Sequence, residues 1–81
     1  MGRFDKLIKR FLTLDKDIRF DEIEKVMKHY GFRVRNPRGG SSHYIFDNGK
    51  TKITIPKHTP IKLVYIKMVR DIIEMEMDRN E

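Results

Sequence analysis

The sequence predicts a small two-layer α+β domain, in which helices cover one face of a three-stranded antiparallel sheet. Apolar residues recur every three to four positions near both ends of the chain, which is typical of amphipathic helices. In the middle of the chain they alternate with polar residues, which is typical of strands. An Asn-Gly pair between two of the alternating runs indicates a hairpin. The predicted order is therefore helix, helix, strand, strand, strand, helix.

The length and the charge limit the classes of protein to consider. The 81 residues suffice for one domain, so we expect a single domain over 1–81, with an N-terminal helical extension over 1–19 and a core over 20–77. The formal net charge of +6 favours a polyanionic partner, such as nucleic acid, an acidic protein or anionic lipid. Cysteine is absent, which excludes disulfides and thiolate metal sites. No apolar run approaches the ~20 residues that span a bilayer, so we expect a cytoplasmic protein without a membrane partner.

The first predicted helix covers residues 4–12. Its apolar residues share one face, at a spacing of three and four: Phe4, Leu7, Ile8, Phe11 and Leu12. A membrane or a partner protein could bind such a face, but packing on the chain's own core is the more ordinary use. Residues 13–19 lose this period and are predicted to form a connecting loop.

The second predicted helix begins near Asp21, where the helical period returns. Asp21 is the expected N-cap, and Phe20 before it is the expected apolar staple. Gly31 can adopt the left-handed conformation that ends helices. His29 lies off the apolar stripe and is expected to be solvated.

Three strands are predicted to form an antiparallel meander over residues 32–35, 43–46 and 51–55. Asn48-Gly49 marks the hairpin turn between the second and third strands. Pro56 is expected to close the third strand, because proline cannot donate to a strand ladder.

The last helix is predicted to begin at Thr59-Pro60, since threonine caps free backbone amides and proline fits the first helical turn. Its main apolar row is Ile61, Val64, Tyr65, Met68, Ile72 and Met75, flanked by Ile66, Val69 and Ile73. One sheet would not cover so wide a stripe. The flank is therefore predicted to receive the first helix, with a dimer or a partner contact as the alternative.

Alternation along the strands divides the side chains of the sheet between two faces. The face toward the helices is predicted to carry Phe32, Val34, Tyr44, Phe46, Ile53 and Ile55. The opposite face is predicted to carry Arg33, Arg35, His43, Ile45, Lys52 and Thr54. This face is a basic surface with one histidine, although a charged outer face is also how sheets stay soluble. A bulge in the Gly-Gly-Ser-Ser loop would reverse the assignment for the second strand.

His43 stands where a loop rich in glycine and serine meets the second strand. Imidazole can take or give a proton near neutral pH, so His43 is a candidate acid or base. The alternative is a hydrogen-bonded surface histidine. Ser41 and Ser42 lack a nucleophile-elbow motif and an evident orienting carboxylate. Their expected contribution is therefore hydrogen-bond donors for the loop or for a bound phosphate.

A second polar cluster, Lys57, His58 and Thr59, lies at the predicted start of the last helix, with Lys62 close by. Free amides at a helix N-terminus favour a phosphate, whereas the alternative is an ordinary cap beside a solvated His58. No metal site is predicted, because the three histidines stand 14 and 15 residues apart and no cysteine is present. Walker and Rossmann glycine patterns are absent, so no cofactor is expected.

Two segments resemble the HicA-type toxins of bacterial and archaeal toxin–antitoxin modules: residues 40–46, Gly-Ser-Ser-His-Tyr-Ile-Phe, and residues 55–58, Ile-Pro-Lys-His. With the element order, the resemblance runs from about Asp21 to Glu74. It implies a fold like a double-stranded-RNA-binding domain, and a ribonuclease that cleaves messenger RNA until a HicB-type antitoxin masks it. The family's catalytic histidine falls on His43, although the family has Gly-Ser-His where this chain has Gly-Ser-Ser-His. His58 matches a recurrent histidine after proline.

We hypothesise that His43 is the general base on the ribose 2′-hydroxyl, or the general acid on the leaving oxygen, without a metal. RNA is predicted to be bound by Arg33, Arg35, Ser41, Ser42, Lys52, Lys57 and His58. A non-catalytic RNA-binding module would use the same surface without turnover. A protein-interaction domain with an acidic partner overlaps with antitoxin binding. A homodimer and a hetero-oligomer with the antitoxin are both compatible with the sequence.

Overall fold

The computed structural model describes residues 2–36 and 42–79. The helices are α1 (Arg3–Leu12), α2 (Phe20–His29) and α3 (Leu63–Arg79), and the strands are β1 (Arg33–Arg35), β2 (His43–Asp47) and β3 (Lys52–Pro56). The strands form one antiparallel sheet in the order β1-β2-β3. The predicted α+β class, with a three-stranded meander and an additional N-terminal helix, is confirmed.

The apolar core lies between the sheet and the helices. Phe32, Phe46 and Ile55 are buried in it, and Val34, Tyr44 and Ile53 pack against it from the same face of the sheet. On the opposite face Arg33, Arg35, His43, Lys52 and Thr54 are exposed, and Ile45 is half-buried. Both predicted faces are therefore confirmed. The pairing of β2 with both neighbours is continuous over residues 43–47, so β2 keeps the predicted faces, and most of the loop in which the bulge was considered lies outside the described residues.

The helix α1 packs against both α2 and α3. Its Leu7, Ile8 and Phe11 are buried, so the apolar face of α1 serves the chain's own core as predicted. The Arg10 guanidinium also ties α1 to the start of α2, because it pairs with the Glu22 carboxylate. Residues 3–12 are thereby fixed on the remainder of the structure by apolar and charged contacts together.

The helix α3 buries the flank that was predicted to receive the first helix, but part of its predicted main row is exposed. Ile66, Val69 and Ile73 are fully buried, whereas Val64 and Met75 are exposed. The difference arises because α1 lies along one flank of α3. The buried face of α3 is therefore centred on Ile66, Val69 and Ile73, on the side of the helix that faces α1, and not on the predicted row.

The chain enters α2 two residues earlier than predicted. Arg19 is the N-cap, and its amide donates to the Glu22 carboxylate at 2.8 Å, as in a capping box. Phe20 is consequently the first helical residue and is buried, so the prediction of Asp21 as the cap was wrong. Gly31 has φ +88°, which confirms its predicted role as the left-handed residue after the helix.

His29 lies near the end of α2 and was expected to be solvated. Its ring is exposed, but it also packs on Phe4 of α1, with 4.2 Å between the ring centroids. His29 thus belongs to the contact between α1 and α2.

The predicted start of α3 at Thr59-Pro60 was wrong, because the helix begins at Leu63. The Lys62 carbonyl accepts the first helical hydrogen bonds, from the amides of Tyr65 and Ile66. Ile61 explains the delay, since its side chain is only 5% exposed and is drawn into the core before the helix begins.

The β2–β3 hairpin is confirmed, with a loop of four residues, 48–51. The Asn48 side-chain oxygen accepts hydrogen bonds from the amides of Lys50 and Thr51, and Gly49 has φ +90°. Pro56 is the last residue of β3 rather than the residue after it. Because β3 is an edge strand, proline is tolerated at this end of the ladder.

Across the described residues, no helix combines the length and the apolar character needed to cross a membrane.

Candidate active site on the outer face of the sheet

The strand register arranges the outer face of the sheet in rows, because residues directly opposite one another share a face. The first row is Arg33, Asp47 and Lys52; the second is Arg35, Ile45 and Thr54; the third is His43 and Pro56. The outer face therefore has positive charges in its first and second rows and the candidate catalytic histidine in its third row.

His43 is the first residue of β2 and is exposed on this surface. Arg35 and Thr54 lie on either side of Ile45, so both are diagonal neighbours of His43, at about 7–8 Å between Cα atoms. An arginine side chain is long enough to act on a group that the imidazole also contacts. The structure therefore places the exposed imidazole of His43 near the positive charge of Arg35 and the hydroxyl of Thr54.

Arg33 and Lys52 lie four strand positions from His43, or roughly 13 Å along the sheet. Asp47 stands between them, and its carboxylate accepts the Gly49 amide at 2.8 Å. A cavity of about 590 Å³ opens at this end, lined by Gly31, Arg33, Arg35, Asp47, Asn48 and Gly49. Arg33 and Lys52 can therefore bind one phosphate of an extended polyanion, but they are too far away to contact the phosphate that lies at His43.

Lys57 and Ser42 are paired with each other but do not share the outer face with His43. The Lys57 amide donates to the Ser42 carbonyl at 2.6 Å, which continues the β2–β3 ladder by one step. The Lys57 ammonium lies 5.8 Å from the ring centroids of both Phe20 and Tyr44, within the range of a cation–π interaction. Lys57 thus faces the helix side, at the end of the sheet. The predicted phosphate ligand Ser41 lies outside the described residues.

His58 is exposed and follows a tight turn, in which its amide donates to the Pro56 carbonyl at 3.0 Å. The helix N-terminus that was predicted beside it lies further along the chain, at Leu63. His58 instead lines a cavity with residues of the α1–α2 loop, among them Lys16 and Arg19. Sequence analysis missed these two residues, because the loop carries neither a period nor a motif and only tertiary packing brings it to His58.

The outer face can support acid–base chemistry on a phosphate ester. An exposed imidazole can exchange protons with a bound hydroxyl, and the nearby guanidinium of Arg35 can stabilise charge on phosphate oxygens. Within residues 2–36 and 42–79, no three His, Asp or Glu side chains are grouped closely enough to hold a metal ion.

Comparison with known protein families identifies the family to which the chain belongs. The HicA toxin family of bacterial toxin–antitoxin systems matches residues 20–75, which is more than half of the sequence. The chain belongs to the HicA toxin family. The resemblance found in the sequence is therefore confirmed. No curated protein and no solved structure matches the chain.

As a HicA toxin, the protein is the toxin of a toxin–antitoxin system, and its family implies an antitoxin partner. HicA toxins are generally toxins of the ribonuclease type. The match includes His43 and His58 and begins at Phe20, the first residue of α2. The helix α1 and the loop after it, including Lys16 and Arg19, precede the matched region.

Proposed function

We propose that this HicA toxin is a metal-independent endoribonuclease that cleaves messenger RNA, with His43 as its catalytic residue. The observation that carries the proposal is the exposure of His43 on the outer face of the sheet, with Arg35 as its diagonal neighbour. A messenger-RNA substrate would place the activity in the cytoplasm.

In the proposed reaction, the ribose 2′-oxygen forms a bond to the adjacent phosphorus while the bond from phosphorus to the 5′-oxygen breaks. Neutral His43 accepts the 2′-hydroxyl proton, or protonated His43 donates a proton to the departing 5′-oxygen. Water makes the other proton transfer, because His43 is open to solvent. Arg35 stabilises the negative charge that develops on the phosphate oxygens.

The remaining basic residues bind RNA on either side of the cleaved bond. Arg33 and Lys52 hold a phosphate at the far row of the outer face, where they add to affinity without contacting the reacting atoms. Lys57 adds positive charge at the end of the sheet from its helix side, and Ser41 and Ser42 remain proposed donors because they precede His43 directly in the sequence.

A HicB-type antitoxin would neutralise the toxin by covering the same face. A partner surface rich in acidic residues complements Arg33, Arg35 and Lys52, and it would exclude RNA from His43. The proposed antitoxin site and the proposed RNA site therefore overlap.

The test is an RNA cleavage assay with purified protein and single-stranded RNA in EDTA. The parent should yield fragments, and His43→Ala should lose roughly 10²- to 10⁴-fold in rate, the usual contribution of general acid–base catalysis. Its circular dichroism should be unchanged, because His43 is exposed. His29→Ala is the matched control, since it removes an exposed histidine on the helix side and should cleave normally. Equal cleavage by His43→Ala and the parent would remove His43 from catalysis, and RNA binding without fragments would favour the non-catalytic module.

A further inference from the structure

We infer that the α1–α2 loop and the segment before α3 form a subsite for one nucleotide of single-stranded RNA. The inference rests on the proposed function in one respect, since the RNA in the subsite is the strand whose bond His43 cleaves. The family match begins after the α1–α2 loop, so it covers the segment before α3 but not the loop residues.

The subsite is a cavity of about 140 Å³ between the two segments, lined by Lys16, Asp17, Ile18, Arg19, His58, Thr59, Pro60 and Ile61. Ile18 and Ile61 are buried and form its apolar floor, whereas the other lining residues are exposed at the rim. Sites for whole drug-sized ligands have about 300–1,000 Å³, so this cavity admits a single ring rather than a larger molecule.

The chemistry of the lining suits a nucleobase together with its phosphate. An apolar floor and an imidazole at the rim can take the face of a base, because unstacked RNA bases commonly stack on aromatic side chains, including histidine. Lys16 and Arg19 provide positive charge for the adjoining phosphate. The Asp17 carboxylate also lies at the rim, where it repels phosphate but can accept a hydrogen bond from a base amino group.

The Arg19 guanidinium is available to a phosphate. Its only ion-pair contact among the described residues is with Asp21 at 3.9 Å, and the two side chains are 75% and 76% exposed. Pairs this exposed contribute little to stability, so the side chain can move to a phosphate at small cost. The loop that carries it is ordered by a hydrogen bond from the Asp17 amide to the Asp15 carboxylate at 2.8 Å.

The subsite adjoins the candidate catalytic residue. His58 follows Pro56 by two residues, which span at most about 7.6 Å, and Pro56 lies opposite His43 in the ladder. Paired Cα atoms across an antiparallel ladder are about 4.5–5.5 Å apart. An RNA strand that contacts His43 can therefore place a nearby nucleotide in the cavity.

The test measures RNA binding in the His43→Ala background, where the substrate stays intact. A fluorescent single-stranded RNA of mixed sequence is titrated at several salt concentrations. Each lost phosphate contact lowers the slope of log affinity against log salt by about 0.7 for single strands, so Lys16→Ala with Arg19→Ala, which removes both cations from the one phosphate of the subsite, should lower the slope by about 0.7. His58→Ala should weaken binding roughly 5- to 150-fold through lost stacking, with the slope unchanged.

Lys6→Ala with Lys9→Ala is the matched control, because it removes the same charge from exposed positions of α1. The control should leave the slope near that of the parent. The subsite is refuted if the variant of Lys16 and Arg19 has the same salt slope as the control. It is also refuted if this variant binds RNA as the parent does and loses only the binding of the antitoxin. Failure of the proposed function gives a different result, namely a parent protein that binds RNA with the predicted slopes but produces no fragments.

Discussion

His43 lies directly opposite Pro56 in the β2–β3 ladder. This pairing fixes the imidazole at the end of the sheet from which the chain turns toward α3. The Lys57 amide extends the ladder by its bond to the Ser42 carbonyl, so the turn that carries His58 is anchored to the strand that carries His43. The candidate catalytic residue thus stands between the basic rows of the outer face and the cavity beside His58.

The row positions predict different roles for the two arginines of β1. Arg35 is a diagonal neighbour of His43, whereas Arg33 lies two rows away. Arg35→Ala should therefore lower kcat, by roughly 10- to 100-fold, which is less than the 10²–10³ lost with a buried oxyanion donor because Arg35 is exposed. Arg33→Ala should leave kcat unchanged and lower the salt slope of RNA binding by about 0.7.

Steady-state cleavage kinetics and salt-dependent binding of the two variants check this difference. Both substitutions remove one exposed guanidinium from the same short strand, so each serves as the control of the other. Equal losses of kcat in both variants would contradict the roles that the register assigns.

The α1–α2 loop should make stability depend on pH through Asp15. The hydrogen bond from the Asp17 amide, and then the one from Arg10, hold the pKa of the Asp15 carboxyl below its ordinary value. A group with a lowered folded pKa stabilises the protein above its unfolded pKa, about 3.9, and this contribution is lost as the pH falls through the folded pKa. Asp15→Asn should therefore lower Tm at pH 7, and the difference from the parent should shrink below about pH 4.

Thermal unfolding of Asp15→Asn at a series of pH values measures the effect. Asp78→Asn provides a comparison, because Asp78 is an exposed carboxylate near the end of α3. A difference in Tm between Asp15→Asn and the parent that stayed constant from pH 7 to strongly acidic pH would show that the carboxylate charge has no part in it.

The sequence predicted those features of the fold that depend on local periodicity. A period of two is enough to place Phe46 and Ile55 inside and His43 outside, because successive strand residues point to opposite faces. The element order, the faces of the sheet and the exposure of His43 were therefore accessible before the structure. Likewise, Gly31 indicated the end of α2 because few other residues adopt a positive φ readily.

Features that depend on tertiary packing were missed or misplaced. Thr59-Pro60 satisfies the local rules for a helix start, but burial of Ile61 delays the helix to Leu63. Lys16 carries no local signal, since its position beside His58 depends on how the α1–α2 loop folds back on the chain. Alternation puts Lys57 on the same side as Ile55, but its contact with the Phe20 ring was inaccessible, because only the packing of α2 brings that ring near the Lys57 ammonium.

The burial of α1 predicts that the extension is part of the folding unit. Phe11 is 0% exposed and lies in the core cluster, whereas its neighbour Leu12 is 36% exposed. Phe11→Ala should cost about 3–5 kcal/mol of the free energy of unfolding, as for other large-to-small changes in cores. That cost is a large part of the 5–15 kcal/mol by which small domains are stable, and it corresponds to a decrease in Tm of well over 10 °C, at about 4–8 °C per kcal/mol.

Urea and thermal unfolding of both variants test the prediction, with Leu12→Ala as the matched control one position along the same helix. Leu12→Ala should cost less than about 1 kcal/mol, because much of its side chain is in contact with water in the folded protein. If Phe11→Ala were no more destabilising than Leu12→Ala, then α1 would not stabilise the remainder of the chain. The α1–α2 loop would then lack the anchor that positions Lys16 and Arg19 beside His58.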